Sequence, residues 1–269
     1  MSGQDAHFAG SIPSTYDELL GPLMFAPYGE DLAARVARFG AKTVLEVASG
    51  TGVVTRALDR ALAAGVRIVA TDLNEAMLEV ARRSPSARVK WQQADAQRLP
   101  FGDAEFDAVV CQFGYMFPPD KQACFREARR VLTPGGRLLF NMWGPLEKNE
   151  LTETVGRSVA AAFPTDPPAF LTRTPFAFHD AAFLRSELER AGFTSVEVET
   201  VDKVTRADSA EQAAMGVCMG TPLRSEIEAR DASRLQAVTD GAAAALVARF
   251  GKAPFDNRMS AVVVTAQRN

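Results

Sequence analysis

The sequence has little of what disulfide frameworks, metal sites and membrane spans are built from. Its 269 residues include three cysteines, without C-x-x-C spacing, and two histidines, so neither a disulfide scaffold nor a metal site is expected. No apolar run approaches the roughly 18 residues that a membrane helix needs. The opening residues, MSGQDAHFAG, lack the basic and apolar stretches of a signal peptide. We therefore expect a cytoplasmic protein without a membrane span.

No charge of one sign dominates the chain either. Lysine and arginine number 30 against 33 aspartate and glutamate, which gives a net charge of −3 and an isoelectric point near 5.6. Proteins that bind nucleic acid are normally basic, so no nucleic-acid partner is expected. The hydrophobic share of 47% and charged share of 23% are ordinary for a globular protein. The length fits a single domain over 1–269, as a monomer or a homodimer.

Short apolar runs alternate with helix-like patterns along the chain, as in βαβ units. Parallel strands need such crossovers, and the helices then cover both faces of the sheet. The pattern therefore predicts an α/β fold with a doubly wound, mostly parallel, Rossmann-like sheet. Strands are predicted at 43–47, 66–70, 89–92, 106–112, 137–143, 196–204 and 259–265.

Three segments outside these strands carry expectations of their own. Turn formers around a short apolar patch fill the first thirty residues, and a helix is predicted to open at Asp31 and to stop at Gly40. The residues at 133–136, Thr-Pro-Gly-Gly, predict a sharp turn. A largely helical insertion at about 208–250 separates the last two strands. An insertion of this length more often covers a site than forms a domain, so we expect a substrate lid.

Small residues follow the first predicted strand, in the run EVASGTG at 46–52. Open α/β sheets bind their ligands at the carboxyl ends of their strands. About twenty residues further on, Asp72 ends the second strand, where a carboxylate accepts hydrogen bonds from ribose hydroxyls. A dinucleotide site would have a third glycine at the position of Thr55, and the carboxylate of Glu46 would repel phosphate. The pattern therefore favours a nucleoside with an amino-acid tail.

Four segments carry a resemblance to a known family: VLEVASGTG, ATDLNEAML, QQADAQRLPFGDAEFDAVVCQFGYMFPPDK and EARRVLTPGGRLLF. In this order they resemble the motifs of class I S-adenosylmethionine-dependent methyltransferases, in the branch of the ubiquinone/menaquinone-biosynthesis C-methyltransferases. The resemblance covers about 40–143 and fades through 144–269. It implies a seven-stranded sheet with an antiparallel last strand, a cofactor-binding core at 40–143 and a helical N-terminal cap at 1–39.

The resemblance also implies an activity and a set of site residues. S-adenosylmethionine would be the cofactor, S-adenosylhomocysteine its product, and a small molecule, aromatic or lipophilic, the acceptor. The family usually has glycine at the position of Ala48, and we expect this alanine to keep a β-region φ. The residues that the resemblance places at the cofactor are Tyr16, Tyr28, Glu46, Ala48, Ser49, Gly50, Gly52, Asp72, Leu73, Met77, Asp95, Ala96, Gln112 and Phe113.

No residue is predicted to be catalytic. Methyl transfer from a sulfonium is an in-line displacement for which the protein supplies alignment and a dry site, and a base is needed only if the acceptor loses a proton. The histidines, His7 and His179, are not predicted to act as bases, while Asn141 and Trp143 face the ligand side or pack in the core. Two alternatives remain at this point: a non-catalytic nucleoside-binding protein on the same fold and a nicotinamide-dependent oxidoreductase.

Overall fold

The sheet has the architecture that the sequence predicts. The computed structural model describes residues 8–84 and 86–269, so His7 lies outside the described residues. Strand order across the seven-stranded sheet is β3-β2-β1-β4-β5-β7-β6. Strands β1 to β5 run parallel, and β7 is antiparallel to both of its neighbours. The strands are β1 (Thr43–Val47), β2 (Arg67–Asp72), β3 (Val89–Gln93), β4 (Phe106–Gln112), β5 (Leu132–Trp143), β6 (Thr194–Ala207) and β7 (Phe255–Gln267).

Helices connect the strands and cover the carboxyl edge of the sheet. A π-helix spans Tyr16–Phe25, and short 3₁₀ turns lie at Leu146–Lys148 and Ala232–Arg234. The α-helices are α1 (Ile12–Thr15), α2 (Ala26–Ala37), α3 (Val53–Ala61), α4 (Glu75–Ala81), α5 (Lys121–Val131), α6 (Glu150–Ala162), α7 (Phe170–Arg173), α8 (Ala181–Arg190), α9 (Ala210–Met219), α10 (Leu223–Asp231) and α11 (Leu235–Phe250). None of the helices in the described part of the chain is long and apolar enough to cross a bilayer.

Local chemistry explains where several of these elements begin. The carboxylate of Asp180 accepts a hydrogen bond from the amide of Phe183 at 2.6 Å and starts α8 as predicted. Asp120 does the same for α5 through the amide of Ala123 at 2.9 Å. Strand β4 is covered on both faces, which accounts for its nearly continuous apolar sequence.

The N-terminal segment is helical, as the family resemblance implied and not as its turn-forming residues suggested. Helix α2 begins at Ala26 rather than at the predicted Asp31. Pro27 fits the first turn of α2 because no amide donor is needed there. Tyr16 and Phe25 begin and end the ten-residue π-helix. They are two turns apart at roughly 4.4 residues a turn, so their rings share one face and stack at 4.6 Å.

The predicted sharp turn at 133–136 is instead an irregularity inside β5. Phe106 pairs with Leu132 and Ala108 pairs with Arg137, so the residues between the two pairs bulge out of the ladder. Gly135 takes a φ of +82°, which a glycine adopts without strain. The strand therefore continues on both sides of this bulge, and β5 begins at Leu132.

Candidate active site

A cavity opens at the carboxyl ends of β1, β2 and β4, the edge where the sequence predicts a ligand. The N-terminal cap closes it on one side through Phe8 and Tyr16. Ten of the fourteen residues predicted at the cofactor line its wall. They are Tyr16, Ala48, Gly50, Asp72, Leu73, Met77, Asp95, Ala96, Gln112 and Phe113.

The turn after β1 brings the backbone against this cavity. Gly50 and Gly52 have φ of +55° and +84°, and Gly52 precedes the first residue of α3. A Cβ on Gly52 would lie 2.7 Å from the ring of Trp91, so only glycine fits there. Ala48 has a φ of +52°. The expectation of a β-region φ for this alanine was wrong, because the turn requires the left-handed conformation that glycine adopts more easily.

Two backbone amides, one from the β1 turn and one from the residues after β2, hold the Asp72 carboxylate in place. Its Oδ2 accepts a hydrogen bond from the Gly50 amide and its Oδ1 one from the Asn74 amide, both at 2.8 Å. Oδ1 also accepts a hydrogen bond from Asn74 Nδ2 at 3.5 Å, whereas Oδ2 keeps a further lone pair for a ligand hydroxyl. Burial raises the pKa of Asp72 above its ordinary value, and the two amides oppose that shift. Leu73, which follows it, is half-exposed on the cavity wall.

The electrostatics of the wall suit a nucleoside and not a phosphate. Asp95 lies on the wall and is oriented by the Gln97 amide, which donates to its Oδ1 at 2.8 Å. The described residues on the wall include no lysine or arginine. A phosphate-bearing dinucleotide would meet two carboxylates and no cation here. Hydroxyl-accepting carboxylates next to apolar Leu73 and Met77 fit an adenosine instead.

Four of the predicted residues lie behind or beside the wall. Glu46 is buried and its Oε2 accepts a hydrogen bond from Thr55 Oγ1 at 2.6 Å. Burial raises the pKa of Glu46 to about 8. Tyr28 is buried and donates its hydroxyl to Val201 O at 3.1 Å. Ser49 and Gly52 belong to the turn without lining the cavity.

A second, apolar cavity adjoins the first. Four aromatic residues, Phe8, Tyr16, Phe113 and Phe117, line both. The insertion contributes Val217, Thr221 and Pro222 to the second cavity. The other lining residues are Leu20, Met24, Phe25, Met116, Trp143, Thr152, Phe170, Leu171, Pro175 and Phe176.

In the loop after β4 the sequence predicted only Phe113 at the site. Phe117, Pro118 and Pro119 line the cofactor cavity together with Gly114. A Cβ on Gly114 would lie 2.5 Å from the Cβ of Ala48, so the β1 turn and the β4 loop touch through this glycine. The signal was available, because the loop leaves the carboxyl end of β4, where parallel sheets bind their ligands.

Comparison with known proteins places this geometry in a family. A family model described as a methyltransferase domain matches residues 44–136. The chain is 30% identical over 211 residues to the ubiquinone/menaquinone biosynthesis C-methyltransferase of Escherichia fergusonii, covering 71% of this chain and 83% of that protein. It is 35% identical over 173 residues to the demethylmenaquinone methyltransferase of Clavibacter sepedonicus, covering 60% and 69%. The chain belongs to the class I S-adenosylmethionine-dependent methyltransferases, in the ubiquinone/menaquinone C-methyltransferase branch.

Solved structures agree on the fold. Phosphoethanolamine N-methyltransferase 2 of Haemonchus contortus, in complex with S-adenosylmethionine, superposes with a TM-score of 0.58 at 20% identity, over 95% of this chain and 56% of that one. As a member of this family, the protein uses S-adenosylmethionine as its cofactor. The nicotinamide-dependent and non-catalytic alternatives are not favoured.

Proposed function

We propose that this methyltransferase transfers a methyl group to a ring carbon of a flat, apolar aromatic molecule held in the second cavity. The observation that carries the proposal is the apolar wall of that cavity and its direct contact with the cofactor cavity through Phe113 and Tyr16. Among the described lining residues only Tyr16, Trp143, Thr152 and Thr221 carry a side-chain N–H or O–H group, and none is charged. The C-methyltransferases and demethylmenaquinone methyltransferase among the relatives support an acceptor of this kind.

The residues of the first cavity divide among the parts of the cofactor. We propose that Asp72 accepts hydrogen bonds from the ribose hydroxyls, with its Oδ2 as the oxygen that has a lone pair free. Leu73 and Met77 would flank the adenine, and Asp95 would accept from its amino group. The β1 turn and Gln112 would hold the methionine part. The cofactor supplies a methyl group already activated by the sulfonium.

The protein's part in the reaction is alignment and exclusion of water. A ring carbon of the acceptor attacks the methyl group in line, a carbon–carbon bond forms and the carbon–sulfur bond breaks. The ring then regains aromaticity by releasing its proton to water, so the products are the methylated acceptor, S-adenosylhomocysteine and one proton. The Tyr16 hydroxyl has no hydrogen bond to another described residue and lies where the cavities meet. Burial, Asp72 and Asp17 raise the pKa of Tyr16 far above its ordinary value, so this hydroxyl stays a donor for an oxygen of the acceptor.

An acceptor assay tests the proposal. The enzyme is incubated with S-adenosylmethionine and either 1,4-dihydroxynaphthalene or phosphoethanolamine, and the products are identified by mass spectrometry. We expect the naphthalenediol to gain one methyl group on carbon and phosphoethanolamine to remain unchanged. Methylation of the amine without methylation of the ring would overturn the proposal.

Two variants separate the two cavities. Val217 is buried on the wall of the second cavity, so Val217→Phe should fill that space and leave S-adenosylhomocysteine binding intact. Asp72→Asn should weaken S-adenosylhomocysteine binding roughly tenfold or more, because a charged acceptor is lost. Calorimetry gives the affinities. Turnover by Val217→Phe at the wild-type rate would show that the acceptor does not bind in this cavity.

A further inference from the structure

Phe113 separates the two cavities and has an unusual backbone. It follows the last residue of β4, lines both cavities and is buried. Its φ is +49°, a conformation that a bulky side chain rarely adopts. Its ring stacks on Trp143 at a centroid distance of 3.8 Å with 6° between the planes. Phe113 therefore separates the cavity proposed for the methyl donor from the cavity proposed for the methyl acceptor.

Asn141, on the neighbouring strand β5, holds this backbone. The Phe113 amide donates to Asn141 Oδ1 at 3.0 Å and to the carbonyl oxygen of Asn141 at 3.1 Å. Asn141 is opposite Gln112 in the ladder and is almost completely buried. Its Nδ2 has no partner among the described residues, so the side chain contributes only its oxygen. An asparagine here leaves its buried Nδ2 donor unpaired, which lowers stability. A residue that only filled space would not need to carry that donor.

The Trp143 ring is fixed from its other sides. Tyr28 meets Phe113 edge-on at 5.5 Å and Trp143 edge-on at 5.7 Å. Phe176 stacks against Trp143 at 5.8 Å on the side of the second cavity. With Trp143 held in this way, the position of the Phe113 ring depends on its own backbone. A return of Phe113 to negative φ would redirect its Cα–Cβ bond and take the ring out of the stack.

We propose that Asn141 is a positioning residue for methyl transfer, which holds Phe113 in the left-handed conformation and so fixes the wall along which acceptor and donor meet. The inference rests on the proposed function, because it needs an acceptor in the second cavity. Asn141 lines neither cavity and acts through Phe113. Loss of its side-chain oxygen affects alignment of the acceptor and leaves the ribose and adenine contacts intact.

Substitution of Asn141 tests the inference with 1,4-dihydroxynaphthalene as the acceptor. We expect Asn141→Leu to lower kcat roughly 10- to 100-fold, as a misplacement of about 1 Å does. The Kd for S-adenosylhomocysteine should stay within about threefold of wild type. Asn141→Asp keeps an oxygen towards the Phe113 amide and should restore most of kcat. The near-ultraviolet circular dichroism of the protein, to which Trp91 and Trp143 both contribute, should change in Asn141→Leu and in Phe113→Ala, and recover in Asn141→Asp.

A double variant shows whether Asn141 acts through Phe113. If it does, Asn141→Leu combined with Phe113→Ala turns over no more slowly than Phe113→Ala alone. The inference is overturned if the reductions in kcat from the two single substitutions multiply in the double variant. It is also overturned if Asn141→Leu leaves kcat unchanged, or if it lowers the affinity for S-adenosylhomocysteine by the same factor as kcat. Should Asn141→Leu not fold, Asn141→Val, which also lacks the side-chain oxygen, serves the same comparison. Failure of wild type to methylate the diol contradicts the proposed function instead, so the two failures are distinguishable.

Discussion

Glu46 lies behind the wall of the cofactor cavity, and its burial affects stability in a pH-dependent way. Removal from water raises the pKa of this carboxyl to about 8, the Thr55 hydroxyl opposes the shift, and the nearby charge of Asp72 adds to it. The unfolded chain releases this proton near pH 4.5, whereas the folded protein keeps it until about pH 8. The folded state therefore binds more protons between these values, and stability falls as pH rises through this window.

We expect Glu46→Gln to remove this part of the pH dependence. The amide cannot ionise, and its oxygen still accepts from Thr55. Between pH 5 and pH 8.5 the free energy of unfolding of wild type should fall, relative to the variant, by an amount on the order of a few kcal/mol. Urea titrations at both pH values measure it. Asp72, whose pKa is also raised, titrates in both proteins, so the difference reports Glu46 together with its coupling to Asp72. Parallel pH profiles would contradict the protonated state assigned to Glu46.

At the scale of elements, the loop between β4 and α5 is fastened by a buried lysine. Lys121 Nζ donates to the carbonyl oxygens of Met116 and Pro118, both at 3.3 Å, and lies 3.7 Å from the ring centroid of Phe178. Burial lowers the pKa of Lys121 to about 8. Because Phe117 and Pro118 line the cofactor cavity, this lysine connects the start of α5 to the shape of the site.

Lys121→Met should therefore weaken cofactor binding more than it weakens the fold. The methionine fills the space but donates no hydrogen bond, so the loop is free to shift. We expect the Kd for S-adenosylhomocysteine to rise about tenfold, which corresponds to roughly 1.4 kcal/mol. Lys90→Met, the same change on an exposed residue of β3, is the matched control and should leave the Kd unchanged. Equal effects of the two substitutions would show that Lys121 does not fasten the loop.

The elements that the sequence predicts well are those whose signal lies within a few neighbouring residues. Strand β4 and the start of α8 follow from an apolar run and from the capping Asp180, both of which act locally. The residues of the π-helix repeat with a period that differs from those of an α-helix and a β-strand. Its apolar residues therefore looked like a patch between turns. The roles of Phe113 and Asn141 depend on a contact between β4 and β5, which a single sequence does not show.

At the scale of the whole molecule, one hydrophobic core connects the cap, the sheet and the insertion. Leu20 of the π-helix, Phe140 and Val264 of the sheet, and Val217 and Leu246 of the insertion belong to one cluster of buried residues. A second cluster covers the opposite face of the sheet beneath α2 and α3. The helices over the acceptor cavity therefore share their packing with the cofactor-binding core.

We propose that the chain unfolds as one cooperative domain, and that the cofactor product stabilises all of it. A ligand that binds only the folded state at 100 times its Kd adds about 2.7 kcal/mol. For a chain of this length the Tm should rise by about 5 °C, in a single transition. Calorimetry with and without S-adenosylhomocysteine measures both. Asp72→Asn should keep the single transition and, with a tenfold weaker affinity, show about half of the shift at the same ligand concentration, because the substitution changes the affinity and not the core. A second transition that the ligand leaves in place would show that the insertion unfolds separately from the cofactor-binding core.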